Sequence, residues 1–150
     1  MELHDFENFP ELTKKQMDEF GFTSPHKQIE GDFEAVVVKV HDGDTITLRA
    51  DFRDFDFPMR IQEIDAPEMN AGGDIAKQWL KERIMGLKID VKIDMQNKVE
   101  KYGRLLGGVF HNGLNVGDEM LRMGLVWNFE RRREGQIDSI EKMFEVKKWL

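Results

Sequence analysis

Between Phe33 and Phe110 the chain alternates apolar and polar residues in short runs, broken at Gly, Pro, Asn and Asp. Val36, Val37, Val38 and Val40 form a β-branched run bounded by Asp42-Gly43, which predicts a strand. Ile46 and Leu48 alternate with Thr45 and Thr47, predicting a second strand after a tight turn. Phe55, Phe57, Met59 and Ile61 alternate with Asp56, Pro58 and Arg60 as a third. The period then changes. Asp74 is placed to cap a helix in which Ile75, Trp79, Leu80 and Ile84 recur at helical spacing, ending near Gly86. Leu87, Ile89, Val91 and Ile93 alternate with Lys88, Asp90 and Lys92 as a fourth strand, and Leu105 to Phe110 make a fifth, closed by Asn112-Gly113. Val116 to Met123 suit a short helix with Gly124 behind it, and Ile137, Ile140 and Phe144 mark a C-terminal amphipathic helix. Upstream the pattern is weak. Pro10 to Phe20 suit a short helix with Pro10 in its first turn, and Phe6, Phe9, Phe20 and Phe22 are available to pack this arm onto the body.

The order is β-β-β-α-β-β-α-α, without internal repeats. Five short strands with a helix between the third and fourth match a Greek-key OB barrel. The expected fold is therefore α+β, mainly β: a five-stranded Greek-key OB-fold barrel with about three α-helices and an N-terminal extension. The extension covers residues 1–32 and the barrel domain residues 33–150, within the length of one domain.

Charged residues make up 34% and hydrophobic ones 40% of the 150. No apolar run approaches the ~20 residues that span a bilayer, so no membrane partner is expected. Residues 1–30 show no apolar stretch of the kind a secretory leader carries. With zero cysteines, disulfides, thiolate zinc sites and a cysteine nucleophile are excluded. The net charge of −7 is uneven: residues 1–34 hold nine acids and three bases, which leaves −1 for the rest. A nearly neutral body can bind phosphate at one site, but it is no broad electrostatic coat for DNA.

The candidate chemistry lies at strand ends, where polar side chains are exposed on a rigid scaffold. Asp42-Gly43 alone is an ordinary turn signal, whereas a turn has no need of Asp44 as a second acid. An EF-hand is excluded, since its ligands recur at alternate positions and close on a glutamate at the twelfth. In Ile64-Asp65-Ala66-Pro67-Glu68, Pro67 ends the strand and exposes two acids three residues apart. Asp44, Asp65 and Glu68 are thus placed to converge on one hard cation, with the Ala66 backbone carbonyl as a further oxygen donor. Glu68 is the candidate general base. Arg60 is either a salt-bridged surface arginine or, with Arg104, a phosphate clamp, because guanidinium donates two parallel hydrogen bonds to phosphate oxygens. His41 and His111 have no spaced partner that would make a histidine nuclease, and read as turn or strand-end residues.

Asp42 to Thr45, Arg60 to Glu68, Lys101-Tyr102-Gly103-Arg104 and Arg122-Met123-Gly124-Leu125 occur here in an order that resembles the staphylococcal-nuclease-type thermonucleases, across roughly residues 33–150. The resemblance implies that Asp44, Asp65 and the Ala66 carbonyl bind Ca²⁺, with Asp42 in the outer shell. It implies that Arg60, Glu68 and Arg104 are catalytic and that Lys101 and Tyr102 hold a terminal or neighbouring phosphate. The implied reaction is hydrolysis of DNA, and of RNA as a further substrate, by 5′ P–O cleavage that leaves 3′-phosphate ends.

Single strands are the expected preferred partner and the monomer the expected state. The sequence departs from the family pattern in three places. Ala66 stands where the family more often has threonine, and the segment Met69 to Gly73 is short where the best-known relatives carry a longer loop. The family's base-stacking tyrosine is missing; Trp127 and Phe129 stand nearby as stacking surface or core. Arg131-Arg132-Arg133 is a solvated run or an extension of the phosphate path. The rival expectation is a catalytically weak or inactive nuclease-like module that binds nucleic acid or protein.

Overall fold

The structure is a computed structural model that describes residues 5–7, 9–20, 24–100 and 103–129. Its centre is a closed barrel of five strands: β1 (Phe33–Val40), β2 (Thr45–Arg49), β3 (Phe57–Ile61), β5 (Lys88–Lys92) and β6 (Leu105–His111). The long β1 serves two partners, pairing antiparallel with β5 through Phe33 to Val36 and with β2 through Val36 to Val40. A register shift between Val37 and Lys39 gives the bend that this double pairing needs. Parallel pairing of β3 with β6, Met59 opposite Leu105 and Ile61 opposite Gly107, closes the barrel.

Alternation decides what fills it. Val37, Ile46, Leu48, Met59, Ile89, Val91 and Val109 are fully buried, each contributing about 1.5–3 kcal/mol by leaving water if it is large. Helix α2 (Gly73–Ile84) adds Ala76, Leu80 and Ile84, and α3 (Val116–Arg122) adds Met120. Short strands β4 (Ile64–Asp65) and β8 (Trp127–Asn128) pair outside the barrel, and β7 (Leu114–Asn115) extends β6 after the Asn112-Gly113 turn, both of whose residues take positive φ. Among the described residues no helix is long and apolar enough to cross a membrane.

Several local expectations are corrected. Asp74 does not cap α2: Gly72 holds the N-cap, and Asp74 sits in the first turn, where its charge still favours the helix. Ile75 is 59% exposed, because the buried stripe runs one residue over through Ala76. The third strand starts at Phe57; Phe55 instead lies in the preceding turn, where the Arg53 guanidinium stacks on Phe52, Phe55 and Phe57. Helix α1 (Lys14–Phe20) begins after Pro10, at a capping box in which Thr13 and Gln16 exchange 3.1 Å hydrogen bonds. The expected C-terminal helix lies outside the described residues. The extension is no loose tail, since Leu12 and Ile29 are buried.

Gly43 is a question of space and not of backbone freedom. It has no positive φ, but a Cβ there would lie 2.8 Å from the Ala76 Cβ and 3.1 Å from the Ala66 Cβ. The bare glycine lets the β1–β2 turn rest directly on α2. Gly43→Ala is expected to lower stability by about 1–3 kcal/mol, read from urea unfolding midpoints; an unchanged midpoint would show that the turn and helix are not in close contact.

Candidate active site

Three elements meet beside this turn. Pairing of β2 with β3 sets Thr45 opposite Arg60, and the Ile61 N–H donates to the Asp44 carbonyl at 2.7 Å, fixing Asp44 against the start of β2. β4 and the Ala66 backbone come alongside. The Asp44 carboxylate is buried and accepts from the Ala66 N–H at 2.8 Å and from the Thr45 hydroxyl at 3.0 Å. Arg60 reaches across both acids, its Nη2 lying 3.5 Å from Asp44 and 3.3 Å from Asp65. Asp42 stands one step out, its carboxylate accepting the Asp44 N–H at 3.0 Å.

Arg104 approaches from the hairpin before β6. Its Nη1 donates to the Thr45 hydroxyl oxygen at 3.3 Å, and Glu100 holds the guanidinium through both oxygens at 3.2 and 3.3 Å. A continuous polar chain therefore runs Arg104–Thr45–Asp44–Arg60–Asp65. Its two arginines and two acids line an open cavity of about 730 Å³, to which Asp42 and Phe129 also contribute, with Thr45 buried behind them. The Arg60 guanidinium lies 5.0 Å from the Phe129 ring centroid, an attractive cation–π placement, and the Phe129 N–H is fixed on the Glu63 carbonyl at 2.9 Å.

Burial pushes the Asp44 carboxyl above its ordinary value, and the hydrogen bond and charge of Asp42 add to the rise. The Ala66 N–H and Arg60 act in the opposite direction without cancelling it. The protein's own groups thus leave the negative charge at Asp44 under-compensated. Among the described residues, no group of three or more acidic or histidine side chains is arranged to hold a metal. A cation here would rest on the Asp44 and Asp65 carboxylates and water; Ala66, whose carbonyl was the further expected donor, is not among the residues that line the cavity. That all-oxygen set suits calcium, which takes about 6–8 hard oxygen ligands in flexible geometry.

Not every expected residue is in the cavity. Glu68 is exposed, does not line the cavity, and opens a 3₁₀ turn (Met69–Ala71) whose Ala71 N–H, with that of Gly73, bonds the Glu68 carbonyl at 2.9 Å. The methyl of Ala66 packs on the core. Trp127 is corrected from stacking surface to core: at 5% exposure its ring cannot meet a base, and the available ring is Phe129. Lys101, Tyr102 and Arg131 to Arg133 lie outside the described residues. His41 and His111 are indeed engaged locally, with Thr47 at 2.6 Å and Arg83 at 2.8 Å.

Two site residues went unnoticed in the sequence. Thr45 read as an ordinary polar strand residue, although it adjoins Asp44 and joins both arginine arms. Glu100 carried one usable signal, an acid four residues before Arg104.

Comparison with known proteins identifies the family of the chain. Residues 58–148 match the family model of staphylococcal nuclease homologues. The probable endonuclease LCL3 of Komagataella phaffii is 33% identical over 97 residues, covering 57% of this chain and 41% of that protein. An uncharacterized endonuclease of Escherichia coli is 32% identical over 102 residues, covering 67% of this chain and 63% of its own length. Endonuclease YhcR of Bacillus subtilis is 32% identical over 126 residues, 71% of this chain but 10% of that protein. The chain thus spans less than two thirds of the length of each of these relatives. The family match begins on β3 and covers more than half of the 150 residues, and the chain belongs to the staphylococcal nuclease homologues.

Proposed function

We propose that this chain is a calcium-dependent phosphodiesterase that hydrolyses DNA, and RNA as a further substrate, with little sequence specificity and 3′-phosphate products. The observation that carries the reading is the convergence of Arg60 and Arg104 on one cavity around a buried, under-compensated Asp44. Relatives named as endonucleases support the same class of activity.

Arg60 and Arg104 bind the non-bridging oxygens of the scissile phosphate and stabilise the charge that accumulates there in the transition state. The substrate phosphate competes with Glu100 for Arg104 and with Asp44 and Asp65 for Arg60, so both guanidiniums are pre-oriented before it arrives. Phe129, half-buried at the cavity, supports Arg60 through its ring and stands where a neighbouring base would stack. Asp44, Asp65 and the Ala66 carbonyl would hold calcium, which when bound would supply Lewis-acid stabilisation and a more acidic water. Glu68 takes the proton from the attacking water. That role requires the exposed segment after Pro67 to turn toward the cavity in the substrate complex, where catalytic contacts commonly tighten. Lys101 and Tyr102 contact a neighbouring phosphate.

Glu68→Gln is expected to lower kcat on single-stranded DNA by on the order of 10²–10⁴-fold with little change in KM; an unchanged kcat removes Glu68 from the reaction. Calcium is expected to raise the melting temperature through binding to the folded state, worth about 2.7 kcal/mol at 100 times Kd. That rise disappears in Asp44→Asn. A calcium-independent melt in the parent protein contradicts the cation site.

The outward position of Glu68 favours one alternative, a module that binds nucleic acid without cleaving it. Calcium-independent binding to single-stranded DNA, without turnover, is the outcome that selects it.

A further inference from the structure

Between β5 and β6 lies a long excursion, residues 93–104, whose described residues form no named strand or helix, and Arg104 stands at its end. Its second half is a hairpin: the Leu106 N–H donates to the Lys98 carbonyl at 2.8 Å, Val99 bridges Leu105, and the Glu100 N–H donates to the Arg104 carbonyl at 2.9 Å. Holding such a segment in one conformation costs on the order of 1–2 kcal/mol of backbone entropy per residue. Arg104 therefore needs this excursion to be tied down.

The ties come from the N-terminal extension. Asp32 accepts the Ile93 N–H at 2.8 Å, at the start of the excursion. At the base of the hairpin, buried Lys98 donates to Glu11 at 3.2 Å and to the Ile29 carbonyl at 3.2 Å. Glu11 is itself only 1% exposed, and it also accepts from Arg53 and from the Ile29 N–H at 3.0 Å. At the tip, Gly103 has φ +88°, and a Cβ built on it would come within 2.9 Å of the Phe9 ring. The ring thus rests on the bare Cα beside Arg104. Neither Phe9 nor Glu11 lines the cavity.

We propose that the N-terminal extension is a brace for the arginine hairpin, with Phe9 at its tip and Glu11 at its base acting as positioning residues for Arg104. The proposal rests on the phosphate-clamping role given to Arg104 above. An extension this acidic is electrostatically unsuited to meeting nucleic acid directly; its acid Glu11 is turned inward and used to grip a lysine. The buried ion group makes the grip specific, because any slip of the hairpin takes Lys98 away from Glu11 and the Ile29 carbonyl and strands its charge.

The chain's single tyrosine, Tyr102, adjoins Gly103 and supplies a direct probe. Full-length protein carrying 3-fluorotyrosine gives one ¹⁹F resonance from this loop. Phe9→Ala leaves the buried ion group intact, so it tests the tip contact even where Glu11→Gln fails to fold. Well below its melting temperature, Phe9→Ala is expected to shift or broaden the ¹⁹F line. It is also expected to lower kcat on single-stranded DNA by on the order of 10–100-fold, with a smaller change in KM. In an Arg104→Lys background the same change is expected to cost no further kcat. An unmoved ¹⁹F line, or an equal loss in both backgrounds, overturns the brace. If the parent protein cleaves nothing, the nuclease reading fails, and the ¹⁹F line alone decides whether the extension holds the loop.

Discussion

Burying the Asp44 carboxylate is the constraint around which this molecule is arranged. Taking a carboxylate out of water costs on the order of several kcal/mol, and no single neighbour offsets it. The Thr45 hydroxyl, the Ala66 N–H and Arg60 each come from a different strand or strand end, so the compensation exists only when β2, β3 and β4 are in register. Gly43 gives the turn room to sit on α2 and deliver the acid to that position. The compensation is incomplete, and the carboxyl stays above its ordinary value. In the proposed function this is where the cation binds, beside the acid that the fold has buried.

The other buried charges behave differently. Glu11 itself is fully partnered, by Arg53, Lys98 and a backbone N–H, as expected of a buried charge with a structural task. Arg60 and Arg104, by contrast, sit in hydrogen bonds of 3.2–3.5 Å to acids at the cavity, which in the proposed function give way to a phosphate. One part of the molecule is fixed and the other exchangeable. The brace ties the two together, because the hairpin that presents Arg104 is gripped by Glu11 at Lys98 and by Phe9 at Gly103.

Much of this was legible from the sequence, because period-two alternation with β-branched residues is a strong signal when one face is buried. Four of the barrel strands, α2 and α3 follow it to within a residue or two, β1 starts three residues ahead of its valine run, at Phe33, and Asn112-Gly113 turns as its chemistry dictates. The errors have physical causes. Phe55 looked like a strand residue because alternation does not reveal that three phenylalanines surround an arginine. Asp74 looked like a cap because the tight approach of Gly73 to Pro67 and Glu68, which sets the true start of α2, leaves no mark on the pattern. Within the site, Asp44, Asp65, Arg60 and Arg104 were readable as residue types at strand ends. Thr45 and Glu100 were not, since their importance lies in whom they touch across the barrel. Trp127 and Phe129 could be separated only by β4–β8 pairing, which buries the first and leaves the second at the cavity.

The most direct test of the central claim is digestion of single-stranded DNA by the full chain, with calcium and with a chelator. The account predicts cleavage to fragments ending in 3′-phosphate with calcium, and none once the chelator is present. Digestion that persists in chelator, or DNA that is bound but left whole under both conditions, would contradict it.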